Sequence, residues 1–274
     1  MPIAPHNKED DLMIDHSGMP LGKQRARHDP RTLQLADYLI TSELPPAPAS
    51  CDWGKKIPDK SWGMMLNDEI GDCTCAAAAH MVQDWTSNSG REFTISDADV
   101  LKAYEKLSGY DPVTKENDNG CVELDVLKYW RKKGIGRHKF DAFVSLEPKN
   151  HQHIRDAIHL FGGAYIGVAL PISAQRQTTW TVPPGGATGQ GAPGSWGGHA
   201  VILTGYNPRR VTCVTWGEEK QMTWEFLDAY CDEAYALLSV KDWTPAKHSP
   251  DGFDVDALRR DLEAIKGHAA VVHA

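Results

Sequence analysis

The amino-acid sequence predicts an α+β protein with two lobes, one mainly helical and one rich in strands. Helical periodicity dominates residues 51–145, whereas short runs of β-branched and aromatic residues dominate from residue 164 onward. Helices first and strands second favour α+β over an alternating parallel α/β fold. The 274 residues, 41% of them hydrophobic, can bury one sizeable core, which can be divided around a cleft.

Four helices are predicted, because apolar residues recur at helical spacing in four segments. The segments are 73–85, 96–108, 121–134 and 150–163. The second begins with Ser96 three residues before Asp99, which is a capping-box pattern. The third has Gly134 as a natural stop.

Four strands are predicted where the apolar period shortens. They are 164–170, 199–206, 210–216 and 235–240. Between the first two lies a stretch rich in glycine and proline, residues 183–198, which has no pattern of a regular element. We expect it to form a flexible flap beside the cleft, and its glycine spacing matches no nucleotide-binding loop.

The ends of the chain predict two additions to the lobes. Residues 1–50 are polar and finish in closely spaced prolines, which favours an extended N-terminal arm packed on the body. Residues 244–274 carry one apolar helical stripe, which predicts a docked tail helix. The helical lobe is then 51–148 and the β-rich lobe is 149–243.

Charge and composition exclude several classes of partner. With 37 acidic and 29 basic side chains the net charge is −8, which repels nucleic acid. The chain has no apolar stretch long enough for a membrane span and no secretory signal at its start, so a cytoplasmic protein without a membrane partner is expected. Six cysteines are too few for a disulfide scaffold. Cys73 and Cys75 lack the second pair of a zinc site, and no cofactor is expected.

Cys73 stands at the mouth of the alanine-rich first helix, directly after Gly71 and Asp72. A helix N-terminus stabilises negative charge and therefore favours a nucleophilic thiolate. The alternative is that Cys73 and Cys75 are small buried residues that close the helix start. Far downstream, His199 begins an apolar strand after a glycine-rich approach, where its ring can face a cleft as a base.

With Cys73, His199 and Trp216-Gly217 following one another in this order, the sequence resembles the papain-like cysteine peptidases over most of residues 51–241. The matching pieces are Asp52-Trp53 as the mature start, GDCTCAAAAH (71–80), NDNGCVELDVLKYWRKKGI (117–135), HAVILTGYN (199–207) and VTWG (214–217). Cys73 and His199 lie 126 positions apart. The resemblance implies a papain-like two-lobed fold with the active cleft between the lobes, Cys73 as nucleophile and His199 as base.

The resemblance also implies an oxyanion-stabilising amide side chain six residues before the nucleophile. That position is Asn67 for Cys73 but Glu69 for Cys75, and only asparagine can donate, so the count favours Cys73. The usual residue there is glutamine, and the usual nucleophile signature is absent. Asn67 must therefore reach with a shorter side chain.

This chain departs most from the family at the third catalytic position. An asparagine is expected two residues before the tryptophan of the strand ending, and this chain has Val214 there. In the family's register Val214 and Trp216 share a face, and Thr215 turns inward only if a bulge lies near Trp216. Thr215 is the first polar substitute, Glu218 is the second, and a bare Cys–His dyad is also open.

The implied activity is hydrolysis of an amide bond in a peptide or protein substrate through a thioester, without a cofactor. One alternative is acyl transfer to an amine, as in transglutaminases. Another is a catalytically silent papain-fold module that binds a partner or serves a structural role, which Val214 favours. The sequence makes no prediction of oligomeric state.

Overall fold

The computed structural model describes residues 15–39, 46–239 and 241–243 and the single positions 256 and 260. Within them the helices are α1 (Cys73–Asn88), α2 (Asp97–Ser108), α3 (Glu123–Lys133), α4 (His151–Phe161) and α5 (Trp224–Tyr230). The strands are β1 (Cys51–Asp52), β2 (Ala142–Ser145), β3 (Ala164–Leu170), β4 (Thr179–Trp180), β5 (Gly197–Tyr206), β6 (Arg210–Thr215), β7 (Glu218–Thr223) and β8 (Cys231–Leu238). The α+β prediction is confirmed.

One sheet joins the strands in the order β2-β8-β3-β5-β6-β7-β4, with β1 beside the end of β5. All neighbours are antiparallel except β4 and β7. This places β5 near the middle, between β3 and β6. None of the helices in the described part of the chain is long and apolar enough to cross a bilayer.

Two apolar cores lie on the two faces of the sheet, because side chains alternate along each strand. On β5, Ala200 and Ile202 pack in the core that contains α1, α2 and α3, whereas Val201 and Leu203 pack in the core that contains α4 and α5. Helix α1 is buried along almost its whole length. Its run of alanines lets the helix approach the sheet closely.

The predicted elements appear at or close to their expected bounds. Ser96 caps α2 by accepting a hydrogen bond from the Asp99 backbone N–H. Five elements were missed: β2, which lies in the region expected to be helical, the two-residue strands β1 and β4, and the pair β7 and α5. Strand β7 reads EEKQMT, and its polar residues conceal the alternation that buries Lys220 and Met222.

Two further predictions concern the glycine-rich stretch, residues 183–198, and the C-terminal tail helix. Residues 183–198 contain a short 3-10 turn at Gly189–Gly191, and the Tyr230 hydroxyl donates to the Gly191 carbonyl at 2.7 Å. The mobility of this stretch stays a prediction, as do the domain boundaries. Of the predicted tail helix only Asp256 and Arg260 are described, both helical and exposed, so its docking lies outside the described residues.

Candidate active site

Helix α1 and strand β5 bring Cys73 beside the residues of the histidine strand. Cys73 is fully buried, and backbone N–H groups of Ala200 and Gly22 donate to its sulfur. Burial raises the pKa of the thiol to about 12 and outweighs the two N–H groups, which lower it, and the charges of Asp72 and Glu123 raise it by smaller amounts. In this structure the thiol is therefore protonated at neutral pH.

His199, next to Ala200 on β5, is also fully buried. Its Nε2 lies 2.7 Å from Thr215 Oγ1, and its Nδ1 has no hydrogen-bond partner. If Nε2 carries the proton and donates to Thr215, Nδ1 has a lone pair that can accept one. Burial lowers the pKa of the imidazole to about 3, with a smaller contribution from His16 and His80.

The pairing of β5 with β6 explains why Thr215 reaches the imidazole. Leu203 pairs with Cys213, so His199 and Leu203 lie on the same face of the sheet as Cys213 and Thr215. Val214 instead packs on the other face, in the core of α1. The expected bulge near Trp216 is not what turns Thr215 inward, because the irregularity lies in β5 between Leu203 and Gly205.

Trp216 has left the strand, so it does not share a face with Val214. It has a positive φ of 47°, and Gly217 follows with 74°, so the two residues form the tight turn between β6 and β7. The indole stacks on the His199 ring at 4.5 Å between centroids and on the His16 ring at 4.7 Å. This stack shields the imidazole from water.

Asn67 lies at the start of α1, where its amide nitrogen donates to Asp72 Oδ1 at 3.2 Å. Both side chains are buried, and Asp72 Oδ2 has no partner. Burial raises the pKa of Asp72 well above its usual range. One of the two amide hydrogens of Asn67 is thus used within the protein.

Cys75, the competing nucleophile, faces a different neighbour. Its side chain hydrogen-bonds to that of Cys121. Two residues on an α-helix differ by about 200° in direction, so Cys73 and Cys75 cannot both face His199. Among the described residues no group of His, Cys, Asp or Glu side chains could hold a metal ion, and all six cysteines are free.

The cleft is filled by residues 16–24 of the N-terminal arm, here called the cleft segment. The Lys23 backbone N–H donates to the Gly198 carbonyl at 3.0 Å, and the Gly22 carbonyl accepts from Cys121 N–H at 2.8 Å. A Cβ at Gly22 would lie 1.5 Å from the Gly71 carbonyl oxygen, so only glycine fits there. The cleft segment thereby bridges the helical and strand-rich parts and covers Cys73.

No family model matches the chain, and neither does any curated protein sequence. Solved structures do match it. Xylellain, a cysteine protease from Xylella fastidiosa, aligns with a TM-score of 0.60 at 15% identity over 82% of this chain and 97% of its own. The chain has a papain-like fold.

Two further structures with this fold agree. Digestive procathepsin L 3 of Tenebrio molitor larval midgut aligns with a TM-score of 0.54 at 12% identity, over 81% of this chain and 77% of its own. The cysteine protease CMS1MS2 of Carica candamarcensis, in complex with E-64, aligns with a TM-score of 0.50 at 16% identity, over 70% of this chain and 99% of its own. At such identities the likeness shows the papain-like fold alone.

The structure brings His199 together with Thr215 and Asn67 together with Asp72, and the roles expected of Cys73, His199, Asn67 and Thr215 stay predictions. Sequence reasoning missed the cleft segment. Gly22 and Lys23 lie in a polar arm without periodicity, so nothing local indicates where they dock. One signal for a missing cationic partner was available in the sequence. Glu123 is an acidic residue between Val122 and Leu124, at the start of a helix whose apolar face is buried, and it is itself fully buried.

Proposed function

We propose that this protein is a papain-like thiol hydrolase of peptide bonds, with Cys73 as nucleophile and His199 as base. The observation that carries the proposal is the state of the imidazole. Thr215 holds Nε2, and the unpartnered Nδ1 belongs to the residue next to Ala200, whose N–H contacts the Cys73 sulfur. A nucleophile and an oriented base are the two parts that acyl transfer requires.

In the proposed reaction His199 Nδ1 takes the Cys73 proton, and the thiolate attacks the substrate carbonyl carbon. Asn67 and backbone N–H groups at the start of α1 stabilise the oxyanion. The imidazolium returns its proton to the leaving amine, and water then hydrolyses the thioester. Thr215 Oγ1 accepts a hydrogen bond from the Nε2–H group, which keeps the ring in one tautomer and one direction.

The closed structure corresponds to a latent form of this enzyme. A thiol pKa of about 12 and an imidazole pKa of about 3 both oppose formation of a thiolate–imidazolium pair. Burial is the first cause of both shifts. When the cleft segment withdraws, water reaches both groups, the thiol pKa falls and the imidazole pKa rises.

A silent papain-fold module is less well supported than an enzyme. It was favoured by the expectation that Val214 would face the His199 ring with carbon atoms alone, whereas the hydroxyl of Thr215 lies beside the ring. Acyl transfer to an amine uses the same Cys73 and His199. Adding a primary amine such as glycine methyl ester to the assay separates the two enzymes. A hydrolase gives free acid, whereas an acyltransferase gives the amide.

The test uses E-64 or iodoacetamide on the full chain at neutral pH, with peptide mapping of the labelled cysteine. It is run on the native chain and on Lys23→Met, which weakens docking of the cleft segment. We expect selective labelling of Cys73 in the variant, together with hydrolysis of a quenched peptide library that Cys73→Ser abolishes. Labelling of Cys75 instead, or an unreactive Cys73 in the open variant, would contradict the proposal.

A further inference from the structure

A groove between α2 and α3, here called the basic groove, is bordered mainly by lysines. It has a volume of about 360 Å³ and is lined by Lys102, Glu105 and Lys106 of α2 and by Tyr129 and Lys133 of α3. The three lysines are exposed, whereas Glu105 and Tyr129 are half-buried. Three ammonium groups therefore border one groove that has a single carboxylate.

The positive charge of the basic groove is not compensated within the protein. None of its three lysines forms an ion pair in the part of the chain that the structure describes, although cations nearby do. Arg27 pairs with Asp125, and Lys128 pairs with Asp29. The chain as a whole is acidic, with 37 acidic and 29 basic side chains, so this grouping runs against its overall charge.

The lysines of the basic groove also repel one another. Lys102 and Lys106 are four residues apart on α2, where like charges are neighbours and destabilise a helix. Lys133 adds a third charge from α3. The helix dipole stabilises Lys106 and Lys133, which lie in the last turns of their helices, but it does not reach Lys102 in the middle of α2. A bound anion would relieve this repulsion.

The spacing of the lysines fits carboxylates on an extended peptide. Residues four apart on a helix are separated by about 6 Å along its axis, which applies to Lys102 and Lys106. Side chains on one face of an extended chain recur at every second residue, about 6.6 Å apart. Alternate acidic side chains of an extended segment can therefore pair with successive lysines.

The other lining residues favour a polypeptide over a phosphate chain. Glu105 can accept hydrogen bonds from the backbone N–H groups of a peptide, whereas it repels phosphate, which is anionic along its whole length. Among the described residues that line the groove there is no arginine, the side chain that binds phosphate in bidentate geometry. The net charge of −8 also repels a long polyanion.

We propose that the basic groove is a docking site for an extended acidic segment of a partner polypeptide. The site is separate from the candidate cleft. Glu123 at the start of α3 acts on the charge of Lys23, and the ten positions from Glu123 to Lys133 span about 15 Å of helix. The inference therefore holds whether or not Cys73 is a nucleophile.

The test measures binding to the full chain by fluorescence anisotropy. The probes are a labelled ten-residue peptide of alternating serine and glutamate, its counterpart of alternating serine and glutamine, and a ten-nucleotide thymidine oligonucleotide. At low salt we expect the glutamate peptide to bind about tenfold or more tightly than the glutamine peptide. In 0.5 M NaCl this preference should largely disappear, because salt screens exposed charges.

Matched double variants locate the binding. Lys102→Gln with Lys133→Gln removes two charges from the groove and should weaken binding of the glutamate peptide about fivefold or more. Lys115→Gln with Lys149→Gln changes the net charge equally at exposed positions outside the groove and should leave the affinity near the native value. Because all four side chains are exposed, neither variant disturbs a core.

Three outcomes would overturn the inference. The first is equal affinity for the glutamate and glutamine peptides. The second is an equal loss of affinity in both double variants, which would show attraction to charge in general rather than to the groove. The third is tighter binding of the oligonucleotide that only the groove variant abolishes, which would make the groove a nucleic-acid site.

Discussion

Cys73 and His199 form one pair of buried groups and Lys23 is another buried group, and they differ in whether countercharges surround them. The pair Cys73 and His199 has no countercharge, so burial raises one pKa and lowers the other, and both groups stay neutral. Lys23 is equally buried, yet Glu123, Glu233 and Asp232 raise its pKa, and it stays charged. The acidic groups Glu123, Asp232 and Glu233 around Lys23 thus anchor the cleft segment, and the anchored segment keeps water away from the thiol.

The largest effect expected is on access to the thiol. Lys23→Met keeps the apolar stem but leaves the buried Glu233 and the exposed Asp232 without a cation. Breaking a buried charge pair costs roughly 2–5 kcal/mol. We predict that iodoacetamide alkylates Cys73 more than about thirtyfold faster in this variant at pH 7.5.

Lys60→Met is the matched control, because Lys60 pairs with Glu219 at the surface and is 67% exposed. Its alkylation rate should stay at the native value. Equal rates for Lys23→Met and the native chain would mean that the ion pairs of Lys23 with Asp232 and Glu233 do not anchor the cleft segment.

The next effect separates the orientation of His199 from its burial. Thr215→Val, made in the Lys23→Met background, removes the acceptor at 2.7 Å from Nε2 while keeping the shape. Loss of the correct tautomer should lower kcat by about tenfold or more with little change in KM, and Thr215→Ser should restore most of it. A change in KM alone would indicate that Thr215 acts on substrate binding instead.

A smaller effect tests the close approach of the Lys23 side chain to Gly167 on β3. Gly167→Ala places a methyl group against the end of a flexible lysine, which can shift, so the cleft segment should loosen only partly. We expect Cys73 alkylation to rise by a few-fold, well below the rise in Lys23→Met. Gly185→Ala, where a Cβ meets no atom within 4 Å, should leave the rate unchanged.

The smallest effect concerns stability and pH. The pKa of His199 falls from 6.5 to about 3 on folding, so between these values the unfolded chain binds the extra proton. The contribution of His199 to stability is present above pH 6.5 and is lost as the pH falls through this window. His199→Gln removes it, so the Tm of the variant should decline less than that of the native chain between pH 7 and pH 4. Parallel declines would show that the ring titrates normally in the folded protein.

Local sequence was enough for much of this protein. Helical periodicity predicted α1 to α4, because an amphipathic pattern is written in consecutive residues. The position of Cys73 at the start of α1 and its six-residue distance from Asn67 are also local. Strand β7 was not predicted, because its mostly polar, half-buried residues carry little periodic signal.

Tertiary structure decided which residue faces His199 and where the cleft segment docks. Whether Thr215 or Val214 faces His199 depends on the pairing of Leu203 with Cys213, and a slip of one residue would exchange the two. The docking of Lys23 depends on Asp232 and Glu233, more than 200 positions away along the chain. Sequence determines which groups can ionise and which segments can form a helix or a strand, whereas register and long-range burial decide which of those groups meet and whether they keep their charge.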